Sequence, residues 1–384
     1  MQDMTEGRPI SLILKFFFPL LFGMLFQQFY NLVDTAIVGK FLGPDDLAAV
    51  GATGSVNFLI LGFCMGVCNG FAIPLAHKFG AGDYRGLRAF MVNAIYLSAI
   101  FAVVMTAVTV VFCRPILELM RTPDNIIDGA YLYIVIIFAG IPATYLYNLI
   151  SAIIRSMGDS KTPVVFLVIS SVMNIALDLV FIINIHLGVA GASLATVISQ
   201  AVSGIGCLIY SWKKFEILHP DAEERRWNSS YMKTLCGMGV PMGLQYSITA
   251  IGTMMVQSAL NILGSYAVAA FTAGNKIENI FTQAYVAIGT TMATYNAQNI
   301  GACKLDRVRQ GFNSAHIIGI TYAIVTGVII FFFGKYLSYL FISDNAAEVI
   351  PMVDTYVKCV AVFFIPLHFV NALRNGIQAV SYTH

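Results

Sequence analysis

The sequence has little charge. Aspartate, glutamate, lysine and arginine make up 11% of the 384 residues, against about 25% in ordinary soluble domains. Apolar residues reach 58%, compared with roughly 45–50% in such domains. A soluble fold of this size could not bury so much apolar surface, so the composition excludes an ordinary soluble protein.

The sequence also lacks the residue groups that mark an enzyme, a cofactor site or a metal site. The seven cysteines are scattered, and Cys64 and Cys68 share a helix face with no histidine or acid beside them in sequence. The GDSKTP segment at 158–163 predicts a turn, because a phosphate loop would need a glycine-rich stretch after a strand. We therefore expect no catalytic residue, no cofactor and no nucleic-acid partner.

A removable signal peptide is also missing. The first apolar segment carries polar residues and has no small-residue cleavage site after a short apolar core. Those residues are Gln27, Gln28, Asn31 and Asp34. This segment is therefore expected to be the first membrane span of the mature protein.

Long apolar segments fill most of the chain. A bilayer-spanning helix needs about 20 mainly apolar residues, and such segments are too long and too uniformly apolar for barrel strands. The sequence therefore predicts an all-α integral membrane protein with ten spans. The expected spans are 10–35, 47–76, 89–113, 129–154, 163–184, 188–212, 234–259, 266–298, 312–334 and 348–373.

Lysine and arginine concentrate in one alternating set of loops. Lys213, Lys214, Arg225, Arg226 and Lys233 lie in the largest of these basic loops. Because cytoplasmic loops carry an excess of these residues, we expect a cytoplasmic N-terminus and a cytoplasmic 213–233 loop in a multi-pass protein of the inner membrane.

The second half of the chain repeats the first. FLGPDDLAAVGATGSVNFL at 41–59 aligns with ILGSYAVAAFTAGNKIENI at 262–280, and Pro19 and Pro142 align with Pro241 and Pro366. The repeat predicts two parallel six-helix bundles, 1–212 and 234–384, joined by a cytoplasmic linker at 213–233. In this alignment residue 384 corresponds to about residue 160. The second bundle is therefore expected to lack its last two helices, and an intact protein to have twelve spans.

Ionisable residues inside the spans are the candidate functional groups, because each costs about 2.5–3.5 kcal/mol at the bilayer centre. Asp34 shares a helix face with Gln27 and Asn31, and Asp178 follows Asn174 by one helical turn. Thr196 lies in the next span, among small residues that permit close helix contact.

Two interpretations of these acids stay open. An acid with an amide and a hydroxyl nearby suits a hard cation or a proton. Alternatively, Asp34 and Asp178 only complete hydrogen-bond networks between helices. Glu278 is either a second acid that faces substrate or the partner of a basic residue.

Prolines inside the apolar spans predict helix bends, since each removes an intrahelical hydrogen bond. These residues are Pro19, Pro74, Pro142, Pro241 and Pro366. The bends either shape the bundle permanently or change between functional states.

Together these segments resemble the multidrug and toxic compound extrusion family, and most closely its DinF-type branch. The likeness rests on residues 19–51, on AIIRSMGDSKTP at 152–163, on NIALDLVFI at 174–182, on LGVAGASLATVISQ at 187–200 and on YNAQNIGACKLDRVR at 295–309. The resemblance implies a V-shaped pair of bundles around a cavity that opens alternately to each side. It also implies a cation or proton site made by Asp34, Asn174, Asp178 and Thr196.

By this resemblance the protein is expected to be a monomeric antiporter that exports amphiphilic organic cations in exchange for protons or sodium ions. Gln27, Asn31 and Glu278 are possible substrate-cavity residues, and sodium at the acid site is the one metal ion considered. The first alternative is a flippase for a lipid-linked sugar, which should hold phosphates with several basic cavity residues. An ion channel is disfavoured because we find neither a filter loop nor a charged ring.

Overall fold

The computed structural model describes residues 2–339 and 346–381, and its long elements are all helices. The helices are α1 (Pro9–Phe41), α2 (Pro44–Gly80), α3 (Tyr84–Val111), α4 (Cys113–Leu119), α5 (Ile127–Ala139), α6 (Ile141–Ser156), α7 (Lys161–Leu179), α8 (Val189–Lys214), α9 (Ser229–Ile262), α10 (Ser265–Gly301), α11 (Leu305–Ser338), α12 (Ala346–Val362) and α13 (Phe364–Ser381). A π-helical turn, Val180–Asn184, extends α7, and a short 3₁₀ turn, Glu216–Leu218, follows α8. The all-α prediction is confirmed.

Each predicted span corresponds to one long helix or to one bent pair of helices. In the described part of the chain, six helices are long and apolar enough to cross a membrane, and the pairs α5–α6 and α12–α13 raise the number to eight. The other two predicted spans are α9 and α10, which are 34 and 37 residues long but more polar. Their membrane crossing stays a prediction.

The two bent pairs lie at repeat-related prolines. The axis turns by 46° between α5 and α6 and by 49° between α12 and α13. Pro142 is in the first turn of α6 and Pro366 is in the first turn of α13. Proline lacks the N–H that would continue the preceding helix, so the helix breaks at both places. Pro19, Pro74 and Pro241 lie inside helices instead.

A pair of glycines marks the repeat in the backbone. Gly43 precedes α2 with φ of 97°, and its aligned partner Gly264 precedes α10 with φ of 94°. Glycine is the residue that adopts positive φ without steric cost. The same turn therefore begins the same element in both halves of the chain.

The chain divides into two compact units, which we describe separately. Unit 1 contains Phe26–Ala250 and the N-terminal residues up to Asp3; unit 2 contains Met4–Leu25 and the described residues from Ile251 onward. The units differ from the predicted bundles in two helices. The first half of α1, up to Leu25, belongs to unit 2, and the first half of α9, up to Ala250, belongs to unit 1. The division of the chain into bundles 1–212 and 234–384, which follows from the sequence repeat, stays a prediction.

In unit 1, α2 and the first half of α9 approach closely through glycines. Gly66 and Gly70 on α2 face Gly239 and Gly243 on α9, and a Cβ on Gly70 would lie 2.6 Å from the Cα of Gly239. Four-residue spacing of small residues is a frequent way for membrane helices to bring their backbones together. Van der Waals contact between backbones stabilises this pair.

The linker before α9 is fixed to α3 in unit 1. Arg88 donates two hydrogen bonds to Glu224, at 2.6 and 2.7 Å, and the Glu224 side chain is only 2% exposed. Asn93 accepts from the Asn228 N–H at 2.9 Å and donates to the Arg226 carbonyl at 3.3 Å. The predicted linker is therefore an ordered segment bound to one helix.

In unit 2, the segment before α1 is fixed to α10 and α11. The Met4 N–H donates to Gln298 at 3.0 Å, and Asn299 donates to the Met4 carbonyl at 3.1 Å. Arg307 donates to the Gly7 carbonyl at 2.9 Å. The YNAQNIGACKLDRVR segment thus holds the N-terminal residues, and Phe16 and Leu20 of α1 continue into an apolar core with residues of α10, α11 and α13.

Candidate functional site

The site lies in unit 1, where polar side chains from four helices meet. Asp34 and Tyr30 come from α1, Tyr133 from α5, Asn174 and Asp178 from α7, and Thr196 from α8. Asn174 and Asp178 are almost fully buried, with 1% and 0% exposed surface, and Asp34 is half-buried.

The carboxyl groups of Asp34 and Asp178 lie within hydrogen-bonding contact of each other. One oxygen of each, Oδ1, is buried without a hydrogen-bond partner. Buried polar atoms are nearly always paired in folded proteins. The hydrogen bonding of these two acids is therefore incomplete in the described part of the chain.

Asn174 connects the acid pair to α8. Its hydrogen-bond partners determine the orientation of its amide: Nδ2 donates to Asp178 Oδ2 at 2.9 Å and to the Tyr30 hydroxyl at 3.3 Å, and Oδ1 accepts from the Thr196 N–H at 3.0 Å and from its hydroxyl at 3.2 Å. One amide thereby holds the Asp178 carboxylate in place between α1 and α8.

Local sequence explains why these groups face one another. Residues four apart lie on one helix face, so Tyr30 and Asp34 share a face of α1, as Asn174 and Asp178 do on α7. Gly191 lets α8 approach the π-helical turn that extends α7, since a Cβ on Gly191 would lie 3.0 Å from the Cβ of Phe181. The π-helical turn begins two residues after Asp178, and such turns often occur at functional sites.

The structure brings together Asp34, Asn174, Asp178 and Thr196; their role as a cation or proton site stays a prediction. It also adds Tyr30 and Tyr133, which the sequence analysis missed. Tyr30 precedes Asp34 by one turn, so its position could have been found from spacing; nothing local links Tyr133 to the acids.

The three predicted cavity residues lie elsewhere. Gln27 and Asn31 have exposed side chains on α1. Glu278, on α10 in unit 2, accepts a hydrogen bond from the Tyr356 hydroxyl at 2.5 Å. A tyrosine partner was not among the alternatives considered for Glu278, and the role of all three residues in a cavity stays a prediction.

A buried acid pair among long apolar helices is typical of a membrane transporter that binds cations. The model of the MatE family matches residues 19–180 and 241–384, and these stretches begin at the aligned prolines Pro19 and Pro241. The chain therefore belongs to the multidrug and toxic compound extrusion (MatE) family, a family of transporters, as the resemblance predicted.

Similar proteins carry related names. A Bacillus subtilis protein, "Probable multidrug resistance protein YpnP", is 30% identical over 98% of this chain and 83% of its own length. A "FAD transporter" of Shewanella oneidensis is 25% identical over 96% of this chain and 81% of its own length. A solved structure described as an outward-facing multidrug resistance MATE family transporter superposes with a TM-score of 0.92 at 23% identity, over 99% of this chain and 84% of that one. This last likeness shows the fold.

Proposed function

We propose that the protein exports amphiphilic organic cations in exchange for protons or sodium ions, and that the Asp34–Asp178 pair binds the coupling ion. The contact between the buried carboxyl group of Asp178 and the half-buried carboxyl group of Asp34 carries the proposal. Two negative charges in contact repel strongly where water is scarce. The pair is therefore stable when it shares a proton or holds a cation, and its empty, doubly charged form is unfavourable.

The surrounding groups suit either ion. Sodium prefers several oxygen ligands, as other hard cations do, and the two carboxylates and the Tyr30 and Thr196 hydroxyls supply oxygen atoms. A proton needs only one carboxylate oxygen, with the other acid as acceptor. We therefore keep both ions in the proposal, as the sequence analysis did.

Coupled export requires that ion binding stabilises one conformational state of the transporter more than the other. A bound ligand shifts a conformational equilibrium only by its differential affinity for the two states. Binding a proton or sodium removes the repulsion between α1 and α7, so it favours the state in which these helices pack together. In the proposed mechanism, substrate is released outward in the step that this ion binding drives.

The acids also favour cationic substrates. An anionic site attracts cations by charge, and aromatic side chains add cation–π attraction. The flippase alternative requires recognition of phosphates, for which paired acids are unfavourable. The names of the similar multidrug resistance proteins support a drug-like substrate, and the FAD transporter makes FAD the most informative anionic comparison.

The test is transport in liposomes. The purified chain is reconstituted, and flux of ethidium is followed under an imposed proton or sodium gradient, with FAD as a second substrate. Asp34→Asn and Asp178→Asn should each abolish gradient-driven ethidium flux. Asp128→Asn is the matched control, because the Asp128 side chain is 82% exposed at the start of α5. Flux that ignores both gradients, or that survives the double variant, contradicts the proposal.

A further inference from the structure

Two histidines form a pair inside unit 2, far in sequence from the acid site. His316 on α11 and His368 on α13 are joined by a hydrogen bond of 3.1 Å between Nδ1 of His316 and Nε2 of His368. Their rings are perpendicular, with centroids 5.3 Å apart. Both helices belong to segments that are long and apolar enough to cross a membrane.

The fold makes room for this pair. His368 is fully buried, and His316 is half-buried. Gly319 lies one turn after His316, and a Cβ at Gly319 would overlap Nδ1 of His368. Any other residue at 319 would therefore displace the His368 ring. The two histidines can therefore pair only because residue 319 has no side chain.

Nδ1 of His368 is buried without a hydrogen-bond partner. A hydrogen bond between two imidazole nitrogens needs one hydrogen, and a buried N–H without an acceptor is rarer in proteins than a buried acceptor without a donor. We therefore assign the hydrogen to Nε2 of His368, which then donates to Nδ1 of His316. Nδ1 of His368 is then a bare basic nitrogen.

Aromatic rings surround the pair. His368 lies 5.5 Å from the Phe369 ring and 6.4 Å from the Tyr285 ring, and His316 lies 4.8 Å from the Phe369 ring, between centroids. Aromatic faces attract cations, and more so away from water.

Other titratable groups on the packed helices are accounted for. Tyr285 of α10 lies beside His368, and Tyr322 of α11 stacks edge-on against Tyr285 with centroids 5.4 Å apart. Arg374 of α13 donates to Asn371 at 3.2 Å.

We propose that the His316–His368 pair is a second proton-binding site, which takes up one proton shared between the two imidazoles. The added proton forms an N–H at Nδ1 of His368, and the positive charge is shared with the half-buried His316 when the hydrogen between the rings moves from Nε2 of His368 to Nδ1 of His316. No other bond changes. The inference goes beyond the proposed function, because the acid pair alone would suffice for coupled export.

The test is a titration of the full chain in lipid nanodiscs with ¹⁵N-labelled histidine, followed by NMR. His316→Gln and His368→Gln assign the two resonances. In the unchanged protein, both resonances should move over one shared pH range, for uptake of one proton. In His368→Gln, the His316 resonance should move over a different pH range, because the partner that shares the charge is gone. Independent titration of the two rings, or a pair that stays neutral down to pH about 4, would overturn the proposal.

Two glycine variants test the geometry. Gly319→Ala should remove the shared titration, whereas Gly327→Ala on the same helix should keep it, because a Cβ there meets only a carbonyl oxygen at 3.8 Å. Shared titration that persists in a folded Gly319→Ala protein contradicts the proposal, and if that variant does not fold, His368→Gln decides. The double variant Asp34→Asn, Asp178→Asn should keep the histidine titration. A failure of the export proposal can therefore be distinguished from a failure of the histidine proposal.

Discussion

At the scale of single residues, Thr196 is the clearest test of the hydrogen bonds around the acid pair. Thr196→Val keeps the shape of the side chain but removes the hydroxyl that bonds to Asn174. Losing one such bond costs about 0.5–1.5 kcal/mol. The concentration of coupling ion that gives half-maximal export should rise about two- to tenfold.

The control for this prediction is Ser199→Ala. Ser199 is also on α8, and its hydroxyl donates to carbonyl groups of the same helix, at 2.7 and 3.1 Å. Export measured at varied pH and sodium concentration compares the two variants. Equal effects of both substitutions would mean that the hydroxyl of Thr196 has no special role at the site.

The residues of the site show which contacts local spacing can predict. Asn174 and Asp178 are one turn apart, so their bond follows from helix geometry. The meeting of Asp34 with Asp178 depends on how α1 and α7 pack, which a single sequence does not contain. The same holds for His316 and His368, whose pairing requires the space left by Gly319.

At the scale of helices, the glycine contact between α2 and α9 should be sensitive to one methyl group. Gly70→Ala places a Cβ 2.6 Å from the Gly239 Cα, and overpacking of this kind typically costs 1–3 kcal/mol. The apparent melting temperature in detergent should fall. Gly54→Ala, also on α2, meets nothing within 4 Å and should leave it nearly unchanged. A Gly70→Ala protein as stable as Gly54→Ala would contradict this packing.

The linker should separate from α3 in acid. The Arg88 guanidinium holds the pKa of Glu224 below its ordinary value, so the folded segment favours the carboxylate. A lowered pKa contributes stability at neutral pH, and this contribution is lost as the pH falls below about 4.3 and through the lowered value. Amide-exchange protection of residues 221–228, corrected for intrinsic rates, should therefore decrease over that range.

Glu224→Gln should produce the same loss at neutral pH. Hydrogen bonds to charged groups contribute about 1.5–3 kcal/mol, so protection should fall at least about tenfold. Glu223→Gln is the control, since Glu223 pairs with Arg85 while its side chain is 67% exposed, and exposed pairs contribute little. A similar loss in both variants would contradict the assignment of stability to Glu224.

The helices themselves were largely predictable. Apolar length located every long helix or bent pair to within several residues, and the prolines at 142 and 366 located both bends. The exchange of the first halves of α1 and α9 between compact units was not predictable, because apolar periodicity does not say which neighbour a helix packs against.

At the scale of the whole molecule, the span count can be tested by topology. Ten spans place both ends of the chain on the same side of the membrane, which the basic loops predict to be cytoplasmic. Reporters fused before α1 and after residue 384 should both be active in the cytoplasm. Reporters on opposite sides would mean that one predicted span, with α9 and α10 the first candidates, does not cross.

In the proposed mechanism, the acid pair links ion binding to substrate binding. The most direct measurement is the affinity of the purified protein for ethidium as a function of pH and of sodium concentration, because linkage between two ligands is reciprocal. We expect protons or sodium ions to weaken ethidium binding, and Asp34→Asn combined with Asp178→Asn to remove this dependence. An ethidium affinity that is the same at every pH and sodium concentration in the unchanged protein would contradict it.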